Sequence, residues 1–245
     1  MNSVVCLSSN RLRFLKEFIR SFKENSEPKT ELRLCLQGCT DGSNLWVMEN
    51  CKDLKHQVFL YMFPENIGLN RYDQIVAECP DGIIIDTDDD SLLVKGYEKA
   101  FEAVLANQKV GWAGILEQGT RPLKLPSRKE HDINGYHLVE AAVGGGLSAT
   151  RKTTWQIVGG FGTGKTIFDP EDARFQRKCI EAGLITGMIT DLTYVHRGSW
   201  ETLIQYGYAR QKLDNLFQAM QAGFISEEDF RIANQEYLMV MEKSK

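Results

Sequence analysis

No apolar run in the chain approaches the ~18–20 residues that a membrane-spanning helix needs, so no transmembrane segment is expected. An excess of positive charge is also missing. With 29 Lys+Arg against 33 Asp+Glu, the net charge of -4 offers no broad basic surface to neutralise a phosphate backbone, which disfavours nucleic acid as a partner. No Cys-x-x-Cys occurs among Cys6, Cys35, Cys39, Cys51, Cys79 and Cys179. Cys35, Cys39 and Cys51 lack the compact second pair of a zinc site, so all six read as reduced, buried small hydrophobes. Internal repeats and low-complexity tracts are absent too. Met1-Asn2-Ser3 is not the basic flank of a signal peptide, and the expected location is cytoplasmic, with the inner face of a membrane as a peripheral option. What remains is 245 residues, 42% hydrophobic and 25% charged, enough to build a core without covalent staples.

Short apolar runs alternate with helical patterns through the first half, the signature of strand–helix units around a mostly parallel sheet. Val4 to Leu7 reads as a first strand, and residues 11 to 23 as a helix with Leu12, Leu15, Phe18, Ile19 and Phe22 on one side. Leu32 to Leu36 is a second strand. Asp41 can cap a short helix, Val58 to Met62 is a third strand, and a helix near Gly68 to Ala77 precedes the apolar Ile83-Ile84-Ile85. Ser91 to Leu105 reads as a helix capped by Ser91, followed by a strand from Val110 to Leu116.

From Glu117 to Gly135 the chain changes character. It carries Pro122, Pro126, Arg121, Lys124, Arg128, Lys129 and His131 with almost no apolar periodicity, and reads as a basic loop, either solvated or folded over a ligand as a lid. Beyond the Gly144-Gly145-Gly146 turn come a segment from Arg151 to Val158, a helix from about Pro170 to Ala182 and a strand from Ile185 to Val195. Two helices, Trp200 to Ala222 and Ser226 to Met241, close the chain. The expectation is an α/β domain over residues 1–198 with a helical extension, 199–245, packed on it. The stripe Leu203, Tyr206, Ala209, Leu213, Leu216, Phe217 and Met220 faces that domain, with a homodimer or a lipid surface as the alternative; Arg210 and Lys212 are few charges for lipid.

The strongest chemical signal is Ile83-Ile84-Ile85-Asp86-Thr87-Asp88-Asp89-Asp90. Carboxylates crowded at the end of a buried strand repel and raise one another's pKa, whereas a divalent cation held by oxygen ligands reverses that interaction. The carboxyl end of a strand is also where open α/β sheets place ligands. The bland reading is a solvated turn, and Asp90 by itself reads as a helix cap.

With these residues the sequence resembles the nucleotide-sugar glycosyltransferases of the GT-A fold, specifically glycosyltransferase family 2, over residues 2–198. The resemblance rests on blocks in order: Val4-Val5-Cys6-Leu7-Ser8-Ser9-Asn10-Arg11, Cys39-Thr40-Asp41-Gly42-Ser43, Asn66-Ile67-Gly68-Leu69 and Asp86-Thr87-Asp88. Gly144-Gly145-Gly146-Leu147, Val158-Gly159-Gly160-Phe161, Glu171-Asp172 and Val195-His196 complete it. It implies a mixed, mostly parallel sheet flanked by helices, and inverting transfer of a sugar from a nucleoside-diphosphate donor, a UDP-sugar, to a hydroxyl of a glycan, lipid-linked or protein acceptor.

A Mn²⁺ or Mg²⁺ would bridge the diphosphate as Lewis acid and template. By the family pattern Asp88 binds the metal, Asp86 faces the ribose or a metal-bound water beside Thr87, and His196 adds a metal ligand. Asp172 matches the catalytic base and Glu171 orients the acceptor or the loop; both also suit the start of a helix capped by Asp169. Ser8, Asn10, Asp41 and Asn66 stand where nucleotide contacts are expected. Two departures concern the nucleotide: Leu36-Gln37 replaces an acidic strand end, and Asp73-Gln74 stands where Arg-Asn is common.

A rival motif is present. Gly159-Gly160-Phe161-Gly162-Thr163-Gly164-Lys165-Thr166 fits G-x-x-x-x-G-K-[ST], which would make the chain a phosphate-loop hydrolase or kinase using Lys165 and Thr166. That mechanism needs a strand before the loop, for which Thr153 to Val158 is the candidate, and a long helix after it, which Pro170 interrupts. A third reading is a sugar-nucleotide or glycan-binding relative without turnover. Trp112 reads as core, and Trp155 as the better platform for stacking a sugar.

Overall fold

The computed structural model describes all residues except 53, 55, 56, 67–70, 121–128, 145, 163–170, 222–225 and 244–245. Its centre is a sheet in the order β3-β2-β1-β4-β9-β6-β10-β8-β7. The strands are β1 (Asn2–Ser8), β2 (Glu31–Gln37), β3 (Val58–Phe63), β4 (Ile83–Asp88), β6 (Val110–Glu117), β7 (Glu130–Ile133), β8 (Tyr136–Glu140), β9 (Leu147–Arg151) and β10 (Ile185–His196), with the short β5 (Ser91–Leu92) paired to the end of β10. β1 to β4 pair in parallel, β9 runs antiparallel between β4 and β6, and β6 pairs in parallel with β10. The sheet is therefore mixed and mostly parallel, as expected for a chain that alternates strands and helices.

Helices cover both faces. α1 (Leu12–Asn25), α2 (Ser43–Asn50) and α4 (Tyr97–Leu105) bury Leu15, Phe18, Phe22, Val47 and Phe101 against Val4, Cys6 and Ile85. On the opposite face α3 (Tyr72–Glu78), α5 (Lys152–Val158), α6 (Glu171–Glu181) and the turn after α5 pack Tyr72, Val76, Trp155, Phe161 and Phe175 against Val5, Ile84 and Trp112. Because strand side chains alternate, Asp86 and Asp88 share the face of Ile84, the face covered by α3 and α6. A third cluster joins Phe14 of α1 to Trp200, Leu203, Ala209 and Leu213 of α7 (Trp200–Tyr206) and α8 (Ala209–Gln221), with α9 (Glu227–Lys243) against them. No helix among the described residues is long and apolar enough to cross a membrane. All six cysteines are free thiols, five of them buried and Cys39 half-buried.

Four local expectations are corrected. The helix expected from Ser91 begins only at Tyr97: Ser91 and Leu92 pair instead with His196 and Val195, and Gly96, at φ 87, precedes the helix. Cross-strand pairing has overridden the apolar periodicity there, and Asp90 caps nothing. Part of the 117–135 loop is a hairpin, β7 and β8 joined by Asn134-Gly135 with φ 50 and 87. That pair is a recognised two-residue turn signal, set among basic residues that give no strand pattern. Thr153 to Val158, the strand required before a phosphate loop, lies in α5, so that reading loses its scaffold. Thr163 to Thr166 lie outside the described residues, as does Asp169. Finally, the first C-terminal helix is broken at Gly207, φ 81, into α7 and α8.

Candidate active site

The carboxyl ends of β1, β2 and β4 and the loops after them are linked by hydrogen bonds and ion pairs. Ser8 Oγ donates to Asp89 Oδ2 at 2.6 Å. Asn10, held at φ 54, donates to the Gly38 carbonyl at 3.1 Å and accepts from Thr40 N at 2.6 Å. Asp41 accepts from Leu12 N at 2.8 Å and from Ser43 Oγ at 2.6 Å, tying the starts of α1 and α2 together. Asn66 Nδ2 donates to Ser9 Oγ at 3.2 Å, and a Cβ on Gly38 would meet the Asn66 backbone nitrogen at 3.0 Å. The four residues expected to contact a nucleotide thus lie at the end of β1 and in the loops after β1 to β3, each stitching a loop to its neighbour. Ile67 to Asn70 lie outside the described residues.

The acidic run divides into two halves. Asp89 and Asp90 are met by protein cations: Arg11 Nη1 lies 2.9 Å from Asp89 Oδ1, and Arg11 Nη2 pairs with Asp90 Oδ2. His196 Nε2 lies 3.2 Å from Asp90 Oδ1, with its Nδ1 3.4 Å from Glu117 Oε1. Burial alone would raise Asp90, but the His196 imidazole and the Arg11 guanidinium outweigh it and hold that carboxyl well below its usual range. Burial pushes Asp89 up to about 6, with Arg11 opposing and Asp90 adding to the rise. For His196, burial lowers the imidazole, and contact with Asp90, Asp88 and Glu117 more than reverses it.

Among the described residues no cation forms an ion pair with Asp86 or Asp88. Burial carries Asp86 well above the carboxylate range, with Asp88 and Asp172 adding to the rise and Tyr72 and the Thr87 backbone opposing it. The crowding at Asp88 raises its carboxyl to about 8 through desolvation and the charge of Asp90, although Arg11 and His196 pull the other way. Thr87 points to the opposite face, where its Oγ1 donates to the Gly146 carbonyl at 3.0 Å. Among the described residues no group of three His, Cys, Asp or Glu side chains stands ready to hold a metal ion by itself. Two carboxyls on one strand face, outside the ion pairs of Arg11 and His196, do fit a cation that would draw its remaining ligands from phosphate oxygens and water, the usual arrangement for Mg²⁺.

The sequence brings Asp172 to the same place from the far end of the chain. It lies in the first turn of α6, accepts from Ala173 N at 2.6 Å, and is near enough to Asp86 to raise that carboxyl. Glu171 opens the helix. Trp112 is fully buried, as expected, while Trp155 donates its Nε1 to Asp73 Oδ1 at 2.7 Å.

Several site residues were not singled out from sequence. Arg11 bridges the acidic run and also lies over the Phe14 ring, at 4.6 Å, where the C-terminal helices pack. Lys212 of α8 donates to the Gly198 carbonyl at 2.7 Å, and a cavity of about 250 Å³ opens between Arg11, Asp90, His196, Tyr208 and Lys212. The available signal for Arg11 was a lone cation directly after a strand whose neighbour ends in carboxylates; Lys212 carried none.

No family model matches the sequence, and no curated protein matches it. Solved structures do. The mannosyltransferase PcManGT from Pyrobaculum calidifontis, in complex with GDP-Man and Mn²⁺, is similar with a TM-score of 0.65 at 16% identity, over 99% of this chain and 74% of that one. TarS 1-349 of S. aureus, in complex with UDP-GlcNAc, gives 0.62 at 12% identity over 98% and 79%. GalNAc-T7 with UDP, GalNAc and Mn²⁺ gives 0.67 at 14% identity over 84% of this chain and 47% of that one. The fold expected from the ordered motifs is thereby met: the chain has the GT-A fold.

Proposed function

We propose that the protein is a metal-dependent glycosyltransferase that moves a sugar, with inversion, from a UDP-sugar to an acceptor hydroxyl. The observation that carries this reading is the unmatched pair Asp86 and Asp88 on one face of β4, beside two carboxylates that the protein itself neutralises. A fold does not fix a function; the chemistry of the site does. The relatives in fold are described in complex with GDP-Man and Mn²⁺ and with UDP-GlcNAc, which agrees with the chemistry the site favours.

Asp86 and Asp88 would hold Mn²⁺ or Mg²⁺, with His196 joining once it leaves Asp90. Bound there, the cation supplies positive charge against the diphosphate leaving group. Ser8, Asn10, Asp41 and Asn66 hold the nucleoside, and Arg11 and Lys212 add positive charge on the side of α8. Asp172 takes the proton of the acceptor hydroxyl as its oxygen attacks the anomeric carbon, while the bond to the diphosphate breaks on the opposite face. Glu171 orients the acceptor.

A thermal-shift screen of nucleotide sugars with and without Mn²⁺ tests the reading, because a ligand that binds only the native state raises the melting temperature. A UDP-sugar should stabilise the protein only with Mn²⁺ present, and Asp88→Ala should remove the effect. Stabilisation by ATP that is lost in Lys165→Ala would overturn it, and binding without transfer to any acceptor would identify a non-catalytic binder.

A further inference from the structure

The glycine-rich segment that mimics a phosphate loop has another use here. Asp73 of α3 accepts three hydrogen bonds on its two carboxylate oxygens: Trp155 Nε1 at 2.7 Å and Phe161 N at 2.8 Å on Oδ1, and Gly162 N at 2.6 Å on Oδ2. The carbonyls of the same turn face the other way. Gly159 O and Gly160 O accept from Lys178 Nζ at 2.9 and 2.8 Å, and Gly162 O accepts from Arg174 Nη2 at 3.1 Å. The turn is thus clamped between an anion on α3 and two cations on α6, each end of its peptide dipoles meeting the opposite charge.

Glycine is required by this arrangement. Gly160 sits at φ 68, and a Cβ there would lie 2.8 Å from Asp73 Oδ1. Between the glycines Phe161 is driven into the core, stacked on Phe175 of α6 at 4.4 Å and edge-on to Tyr72 at 4.8 Å. Phe175 stands one turn along α6 from Asp172, and Tyr72, the neighbour of Asp73, lies beside Asp86. Two consecutive residues of α3 therefore touch both sides of the site, one through the strand carboxylate and one through the turn.

We propose that Asp73 is a positioning residue, which folds the 159–162 turn into a brace that fixes the first turn of α6 and with it Asp172 opposite Asp86. The catalytic consequence rests on reading Asp172 as the base; the brace itself does not. Asp73 occupies the place where the resemblance leads one to expect a cation, so the departure noted in the sequence has a structural role on the acceptor side of the site.

The test is Asp73→Asn, which leaves one amide oxygen for three donors, together with Gly160→Ala, which displaces the same carboxylate from the other side. Amide hydrogen exchange should quicken by about tenfold or more in both variants, at Phe161 and Gly162 because their bonds to Asp73 are lost and at Ala173 because the first turn of α6 is released. Affinity for UDP with Mn²⁺ should stay within about twofold, and kcat for transfer should fall by about tenfold or more at unchanged donor KM. Combining Asp73→Asn with Lys178→Ala should cost less than the sum of the two, because both cut one brace. Unchanged exchange at Ala173, or UDP affinity falling in step with transfer, would overturn the proposal. If the native protein transfers no sugar, the reading of Asp172 fails, and the exchange pattern alone then decides for or against the brace.

Discussion

Within five residues the chain treats like charges in two ways. Asp89 and Asp90 are locked to Arg11 and His196, whereas Asp86 and Asp88, one strand position apart on the same face, are left crowded by burial and by each other. The first pair behaves as a joint of the scaffold, tying β4 to α1 and to the end of β10. The second is a crowding that the fold relieves by holding protons and that a bound cation would relieve with the carboxylates ionised. Removing one member from each pair should therefore have opposite consequences.

The largest effect is expected from Asp88→Asn. The melting-temperature rise that Mn²⁺ and UDP produce together should vanish, with transfer falling by about a thousandfold, while the metal-free variant melts no lower than the native protein because the neutral amide stands in for the protonated carboxyl. Differential scanning fluorimetry with and without Mn²⁺ reads both. A metal-free variant that melts well below the native protein would place Asp88 in the scaffold and erase the contrast.

Arg11→Met makes the reverse change. Loss of one partner of a buried ion pair costs about 3–5 kcal/mol, and with Arg11 a quarter exposed about 2 kcal/mol is expected, measured by urea unfolding. The methionine keeps contact with Phe14, so the loss reports the charge rather than the packing. A change below about 0.5 kcal/mol would mean that Asp89 and Asp90 do not depend on this cation.

Acidity gives the next contrast. Asp88 is raised to about 8 in the folded protein, so the fold holds a proton there that the unfolded chain releases near pH 4. The stability tied to that proton is complete below the unfolded value and drains away as pH rises through the folded one; Asp89, raised to about 6, and His196, raised as well, act in the same direction. Metal-free stability should thus decline from about pH 5 to pH 8, and the stabilisation given by Mn²⁺ should grow over the same range as the carboxylates it needs become ionised. A Mn²⁺ effect larger at pH 6 than at pH 8 would contradict the assignment of Asp88.

How much of this could be read from sequence follows the same division. Strand-length apolar runs such as Ile83 to Ile85, and the helical spacing of Leu15, Phe18 and Phe22, set their elements because the core they face is nearby and one-sided. Ser91 and Leu92 failed by the same logic: their partners lie about a hundred residues away in β10, and long-range pairing leaves no local trace. The carboxylates of the site were legible as a cluster, but their division into matched and unmatched halves was not. It depends on Arg11 and His196, which converge only when β1 and β10 are in place. Likewise Asp73 read as a departure from a pattern, and its three bonds to the 155–162 segment became visible only once α3 and α5 lay side by side.

The smallest effect tests which half His196 belongs to. Its two ring nitrogens face Asp90 and Glu117, which places it with the scaffold, while its position at the end of β10 and its influence on Asp88 place it within reach of the unmatched pair. Gly198 decides its freedom, since a Cβ there would stand 2.5 Å from His196 Cε1 and 2.7 Å from Nε2. Gly198→Ala must therefore push the imidazole aside without altering any charge. If His196 serves the metal, affinity for Mn²⁺ in the presence of UDP should fall by about tenfold with metal-free stability within about 0.5 kcal/mol of native. The opposite pattern, a lower melting temperature at unchanged Mn²⁺ affinity, would assign the imidazole to Asp90 and leave the cation to Asp86, Asp88 and the diphosphate.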